Sequence, residues 1–149
     1  MATVTILLLG GGECVVDHPR SGARLVTSKA PEYGGAGRSF SSTDLLAAAL
    51  GTCIATDLEI VAARNGVPPE TISLEVEKLL SVSPKRVEGF DVHVRLSRHV
   101  DGAVMRKLHR AAAACLVQRA LAPSVHCRIL FEVETRSGPG PGPGGDPRV

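Results

Sequence analysis

Residues 45–55 read Leu-Leu-Ala-Ala-Ala-Leu-Gly-Thr-Cys-Ile-Ala, and every position is apolar or small. A helix over this stretch has no polar face for about three turns. Such a helix must be buried on all sides. In a chain of 149 residues this leaves two arrangements. Either the helix threads the centre of the fold, or a second copy of the chain covers part of it. The second is the expectation, so a homodimer is predicted. The limits of the helix are well marked. Ser41 is followed three residues later by Asp44, the form of a capping box. Gly66-Val67-Pro68-Pro69 ends it, so the predicted helix covers 45–63.

The flanking segments read mostly as strands. Segments 3–9, 13–17 and 23–27 are short and apolar, separated by Gly10-Gly11-Gly12 and by Pro19 to Gly22, and suggest an antiparallel meander. Residues 28–42 form a long loop rich in Gly, Pro and Ser, of the length that often carries function. Beyond the prolines the period becomes two. Ile72, Leu74 and Val76 alternate with Ser73, Glu75 and Glu77; Phe90, Val92, Val94 and Leu96 alternate with Asp91, His93 and Arg95. These are half-buried antiparallel strands. A single amphipathic helix is predicted over 103–120, with the stripe Met105, Leu108, Ala112, Cys115 and Leu116, and a last strand over 125–133. The Gly-Pro tail, 137–149, lacks the apolar content to pack and is predicted to be disordered, leaving one domain over 1–136. The fold class is α+β with antiparallel pairing dominant.

Several function classes drop out. Net charge is only +2, the basic residues are scattered, and there are three Phe, one Tyr and no Trp. That is no footprint for nucleic acid. The N-terminal apolar stretch has no basic region before it, and no apolar run approaches the roughly 18–20 residues of a membrane span. A cytoplasmic protein with no membrane partner is the expectation. Gly10 and Gly12 begin a dinucleotide fingerprint, but its sixth position is Val15 and a strand follows, so a hairpin turn accounts for them better. The four cysteines form no C-x-x-C pair and no zinc spacing, so neither cofactor nor metal is predicted.

The cysteines say more once placed on elements. Cys53 lies in the middle of the apolar helix among Ala47, Ala48, Ala49, Gly51, Thr52 and Ala55. Those small residues leave room for another helix, or a ligand, to approach the sulfur. Cys115 lies on the stripe of the second helix, after Ala111 to Ala114. Cys127 points inward by alternation and packs; Cys14 is assigned no role. A reactive thiol must become a thiolate, and burial opposes that. Cys53 is too deep in its helix for the N-terminal dipole to help much. A cation from the glycine-rich loop is therefore expected, with Arg38 nearest in sequence and Arg20, Arg24 and Arg64 as alternatives. Asp44 could hold that guanidinium in a bidentate pair, or serve only the capping box.

The run Asp44-Leu45-Leu46-Ala47-Ala48-Ala49-Leu50-Gly51-Thr52-Cys53 resembles the signature of the OsmC/Ohr family, the osmotically induced and organic-hydroperoxide-resistance proteins. The similarity extends more weakly over residues 25–133 and is nearest the broader OsmC-like branch. It implies an intertwined homodimer with active sites at the subunit interface, a peroxidatic Cys53 and a resolving Cys115. The implied reaction takes a peroxide as substrate, passes through a sulfenic acid and a Cys53–Cys115 disulfide, and needs an external dithiol as reductant. An alternative is a non-catalytic dimer that binds a small apolar ligand at the interface. Two departures stand out. The second motif reads Cys115-Leu116-Val117-Gln118, where the family pattern has proline after the cysteine. The family acid is commonly Glu, where this chain has Asp44.

Overall fold

A computed structural model describes residues 2–134. The expected disordered tail lies outside the described residues. The chain builds two three-stranded sheets and three helices, an α+β architecture.

The first sheet is the predicted meander: β1 (Thr5–Gly10), β2 (Glu13–His18) and β3 (Ala23–Thr27), antiparallel in that order. Gly10, Gly11 and Gly12 all take positive φ, +91°, +62° and +84°. Three consecutive residues in that region suit glycine alone, and the triplet is a hairpin turn rather than a nucleotide loop. This sheet packs hardly at all against the rest of the chain. Along β1, Leu8 is 80% exposed and Ile6 and Leu7 are each 64% exposed.

The second sheet holds the core. β4 (Ile72–Val82) pairs antiparallel with β5 (Lys85–Leu96), but β6 (His126–Val133) joins β5 in parallel, Phe90 opposite Cys127 and Val94 opposite Phe131. The expectation of antiparallel sheets throughout is corrected here to a mixed sheet. A parallel pair needs a crossover connection, and the helical segment between β5 and β6 supplies it. Phe90, Val92, Val94 and Leu96 are fully buried on the helix side of the sheet. The other side carries ion pairs, Arg95 with Glu75 and Glu132 and Arg128 with Asp91.

α1 (Ser42–Arg64) begins at Ser41, whose hydroxyl accepts from the Asp44 N–H while Asp44 Oδ2 accepts from the Ser41 N–H at 2.7 Å. Such a cap is worth about 1 kcal/mol. Leu50, Ile54 and Leu58, spaced by four, are buried against the sheet, each contributing roughly 1.5–3 kcal/mol. Gly51 lets the helix come close to β4: a Cβ there would stand 2.9 Å from Val76 Cγ2. Ala48, Ala49, Thr52 and Thr56 remain exposed, so one chain covers only part of the apolar helix. By length and composition α1 is apolar enough to cross a membrane, which corrects the expectation that no run approaches that length. A core helix passes the same test, and the buried stripe packed on β4 and β5 is that of a core helix.

The predicted helix over 103–120 is two helices, α2 (Gly102–Ala113) and α3 (Leu116–Ala120). Asp101 caps α2 by accepting from the Ala103 and Val104 N–H groups. At its far end the helix tightens, with Ala114 N donating to Ala111 O and Cys115 N to Ala112 O. Cys115 then turns extended, at φ −52° and ψ 126°, and a new helix starts after it.

Candidate active site

Two of the four predicted site residues meet, and two stand elsewhere. Cys53 projects from the middle of α1 and Cys115 from the break between α2 and α3. Their Sγ atoms and a carboxylate oxygen of Asp57 all lie within 4.8 Å of one another. Cys115 is fully buried and Cys53 half-buried, and both are free thiols. Because these three side chains supply two sulfurs and one carboxylate, they are also the group that could hold a metal ion.

The two thiols are pulled in opposite directions. The Cys115 thiol and the Val117 N–H draw the Cys53 pKa below its ordinary value; burial opposes them, the Leu116 N–H assists, and the Asp57 charge opposes. Burial pushes Cys115 up, and its neighbour Cys53 adds to that. Cys53 is therefore the readier thiolate and Cys115 the thiol that keeps its proton and donates.

The source of the stabilising amides is the helix break. In an unbroken helix the N–H groups of Leu116 and Val117 would bond to carbonyls one turn back. At the start of α3 they are the first two helical residues, whose N–H groups have no partner within the helix. The interruption frees donors beside the Cys53 sulfur. A proline at 116 would have no N–H to give, so Leu116 adds a donor that the family's usual sequence lacks.

Arg38 and Asp44 belong to another place. Both line a cleft of about 1170 Å³ with Ala47, Ala48, Gly51, Thr52 and Lys78. At 100° per residue those α1 positions lie on the side of the helix away from Cys53 and Asp57. Asp44 pairs with Lys78, Nζ to Oδ1 2.7 Å, rather than with Arg38. Burial pushes the Asp44 carboxyl up, but Lys78 and the Ser41 hydroxyl and N–H outweigh it and hold it below its usual value. Lys78 also donates to Thr43 Oγ1 at 3.2 Å and Ser41 Oγ at 3.4 Å, tying β4 to the helix start. Among the other candidate cations, Arg24 pairs with Asp17 at 2.6 Å. Cys127 packs on the core, where burial pushes its pKa up.

Three participants escaped sequence reasoning. Asp57 follows Cys53 by four residues and so shares its helix face, a signal that was available. Lys78 falls on the inward side of β4 with Leu74 and Val76, a lone charge on an apolar face. The Leu116 and Val117 amides carry no sequence signal, because any residue but proline has one.

The OsmC-like protein family pattern matches residues 35–129. The chain belongs to this family. Solved structures share the fold of this OsmC-like chain. A protein of Psychrobacter arcticus named for osmotic stress induction and detoxification response has TM-score 0.82 at 23% identity, over 89% of this chain and 96% of that one. An organic hydroperoxide resistance protein OsmC of Legionella pneumophila has TM-score 0.71 at 20% identity, over 89% and 98%. A third, from Elizabethkingia anophelis, is named an organic hydroperoxide resistance protein and has TM-score 0.65 at 15% identity, over 90% and 98%. No curated protein matches the chain.

Proposed function

We propose that this OsmC-like protein is a thiol-dependent peroxidase acting on organic hydroperoxides or hydrogen peroxide. The observation that carries the reading is the pairing of a thiol favoured as thiolate, Cys53, with a buried protonated thiol, Cys115, within 4.8 Å. The Cys53 thiolate attacks one peroxide oxygen, the O–O bond breaks, and the other oxygen leaves as alcohol or water. Cys53 is now a sulfenic acid. The Cys115 sulfur attacks it, the S–O bond breaks, and the oxygen leaves as water with the Cys115 proton. The resulting disulfide returns to two thiols by exchange with an external dithiol.

The working unit is a homodimer. The supports are the apolar side chains exposed along β1 and the exposed Ala48, Ala49 and Thr52 face of α1, surfaces a second copy would cover. A copy seated there would also close the Arg38–Asp44 cleft. A reducing cytoplasm, where a free dithiol persists between turnovers, suits the reaction.

The test is a thiol count. One equivalent of hydroperoxide added to reduced protein should remove two of four thiols, and Cys53→Ser should remove none. Four thiols remaining at modest peroxide excess would end the proposal.

A further inference from the structure

Peroxide chemistry leaves Asp57 without a purpose. A carboxylate beside the nucleophilic sulfur repels the thiolate that Cys53 has to form, yet its oxygen lies within 4.8 Å of both Sγ atoms. Its position has a different logic. Cys53 and Asp57 are four residues apart on α1, the helical spacing by which two ligands reach one ion. Cys115 faces them from the α2–α3 break. Cys53 and Asp57 are half-buried, so solvent reaches the group.

The geometry points to a binding site for a soft divalent cation of the Zn²⁺ class, held by Cys53 Sγ, Cys115 Sγ and an Asp57 oxygen. Two sulfurs select against Mg²⁺ and Ca²⁺, which take oxygen ligands. Ligand atoms around a tetrahedral zinc stand roughly 3.5–4 Å apart, so small side-chain rotations suffice to close the triangle. Three protein ligands leave a fourth position for water, the arrangement of an exchangeable site. On binding, both thiols release their protons and the two thiolates and the carboxylate surround the ion. The ligands come from distant parts of the chain, which is why no zinc spacing appears in the sequence.

The binding stands on the ligand atoms alone. Its consequence rests on the peroxidase reading: with both sulfurs committed to the ion, neither peroxide attack nor disulfide formation proceeds, and the ion is a reversible brake.

The experiment titrates reduced, metal-free full-length protein with Co²⁺. The expected result is one ion per chain, with the visible spectrum of tetrahedral thiolate coordination, displaced by Zn²⁺. Cys53→Ser and Cys115→Ser should lose the sulfur-to-cobalt absorption. Asp57→Asn, with its fold checked by circular dichroism, should weaken binding by at least about tenfold, the loss that even an outer-shell partner brings. One equivalent of Zn²⁺ should stop hydroperoxide-driven thiol loss and a chelator should restore it. Cobalt binding unchanged in Cys53→Ser, or equally tight in Asp57→Asn, overturns the site. An Asp57→Asn that binds cobalt normally but forms the disulfide slowly assigns the carboxylate to proton transfer instead. Stoichiometric cobalt binding by a protein inert to hydroperoxide keeps the site and removes the peroxidase reading.

Discussion

The two sides of α1 solve the problem of a buried negative charge differently. On the cleft side, Asp44 finds a full counter-charge in Lys78 and two donors in Ser41. On the other side, Cys53 finds no cation among its causes of acidity, only a neighbouring thiol and two backbone amides. A full ion pair fixes a charge permanently. Neutral dipoles favour a thiolate while leaving its sulfur uncommitted and able to attack. The comparison explains why the acid and the nucleophile of one helix belong to separate neighbourhoods in a single chain.

The strongest way to break this comparison is to remove the sulfur. Cys53→Ser should lower the rate of hydroperoxide consumption by at least about 10³-fold, measured with excess dithiol. Cys115→Ser should still react once and stop at a sulfenic acid, detected by a dimedone adduct in mass spectrometry. The corresponding lysine variant, Lys78→Met, should leave the first turnover intact, because Lys78 serves Asp44.

Leu116→Pro tests the amides directly. Leu116 is 73% exposed, and it is the first residue of α3, a position that tolerates proline. Cys115 before it is already in the extended conformation that proline demands of its predecessor. The variant therefore deletes one N–H and little else. The Cys53 pKa should rise, and alkylation by iodoacetamide at neutral pH should slow by about 3–10-fold, the worth of one hydrogen bond to a charged group. An unchanged rate would mean that Val117 and Cys115 suffice.

A smaller effect separates the sulfurs in the unmodified protein. Cys53 is shifted down and Cys115 up, so as pH rises Cys53 should ionise first. Iodoacetamide below the ordinary thiol pKa should label Cys53 ahead of Cys115, with Cys115 following only at higher pH; peptide mapping would show the order.

The smallest effect concerns the cleft side. The folded Asp44 pKa is lowered, so its contribution to stability is present above the unfolded carboxyl value and is lost as pH falls through the folded value. With 37% of the Asp44 side chain exposed, solvent screens the pair, and Lys78→Met should cost less than about 1 kcal/mol at neutral pH. The difference from wild type should shrink in acid, read from urea unfolding at several pH values.

How far the sequence reveals all this depends on the kind of information involved. The start of α1 was legible because Ser41 and Asp44 are local partners. β4 and β5 were legible because burial on one face imposes alternation. The direction of β6 was not, since Cys127, Ile129 and Phe131 alternate alike in parallel and antiparallel pairs. The break at Cys115 was hidden in Ala111 to Ala114, four of the strongest helix formers, because tertiary placement overrides propensity there. Cys53 and Cys115 were found as inward-facing cysteines on helices. Arg38 was chosen by nearness along the chain, which says little about nearness in space.

The parallel pairing of β5 with β6 has one further consequence. The chain leaves the sheet at Leu96 and must re-enter beside the same strand at His126, so the crossover has both ends clamped and a fixed contour between them. Cys115 rides on that arch. Inserting or deleting one residue before α2 would turn the arch by about 100° and carry its sulfur away from α1. The meeting of the two cysteines is thus metered by chain length, as a gate's reach is set by the distance between its hinges.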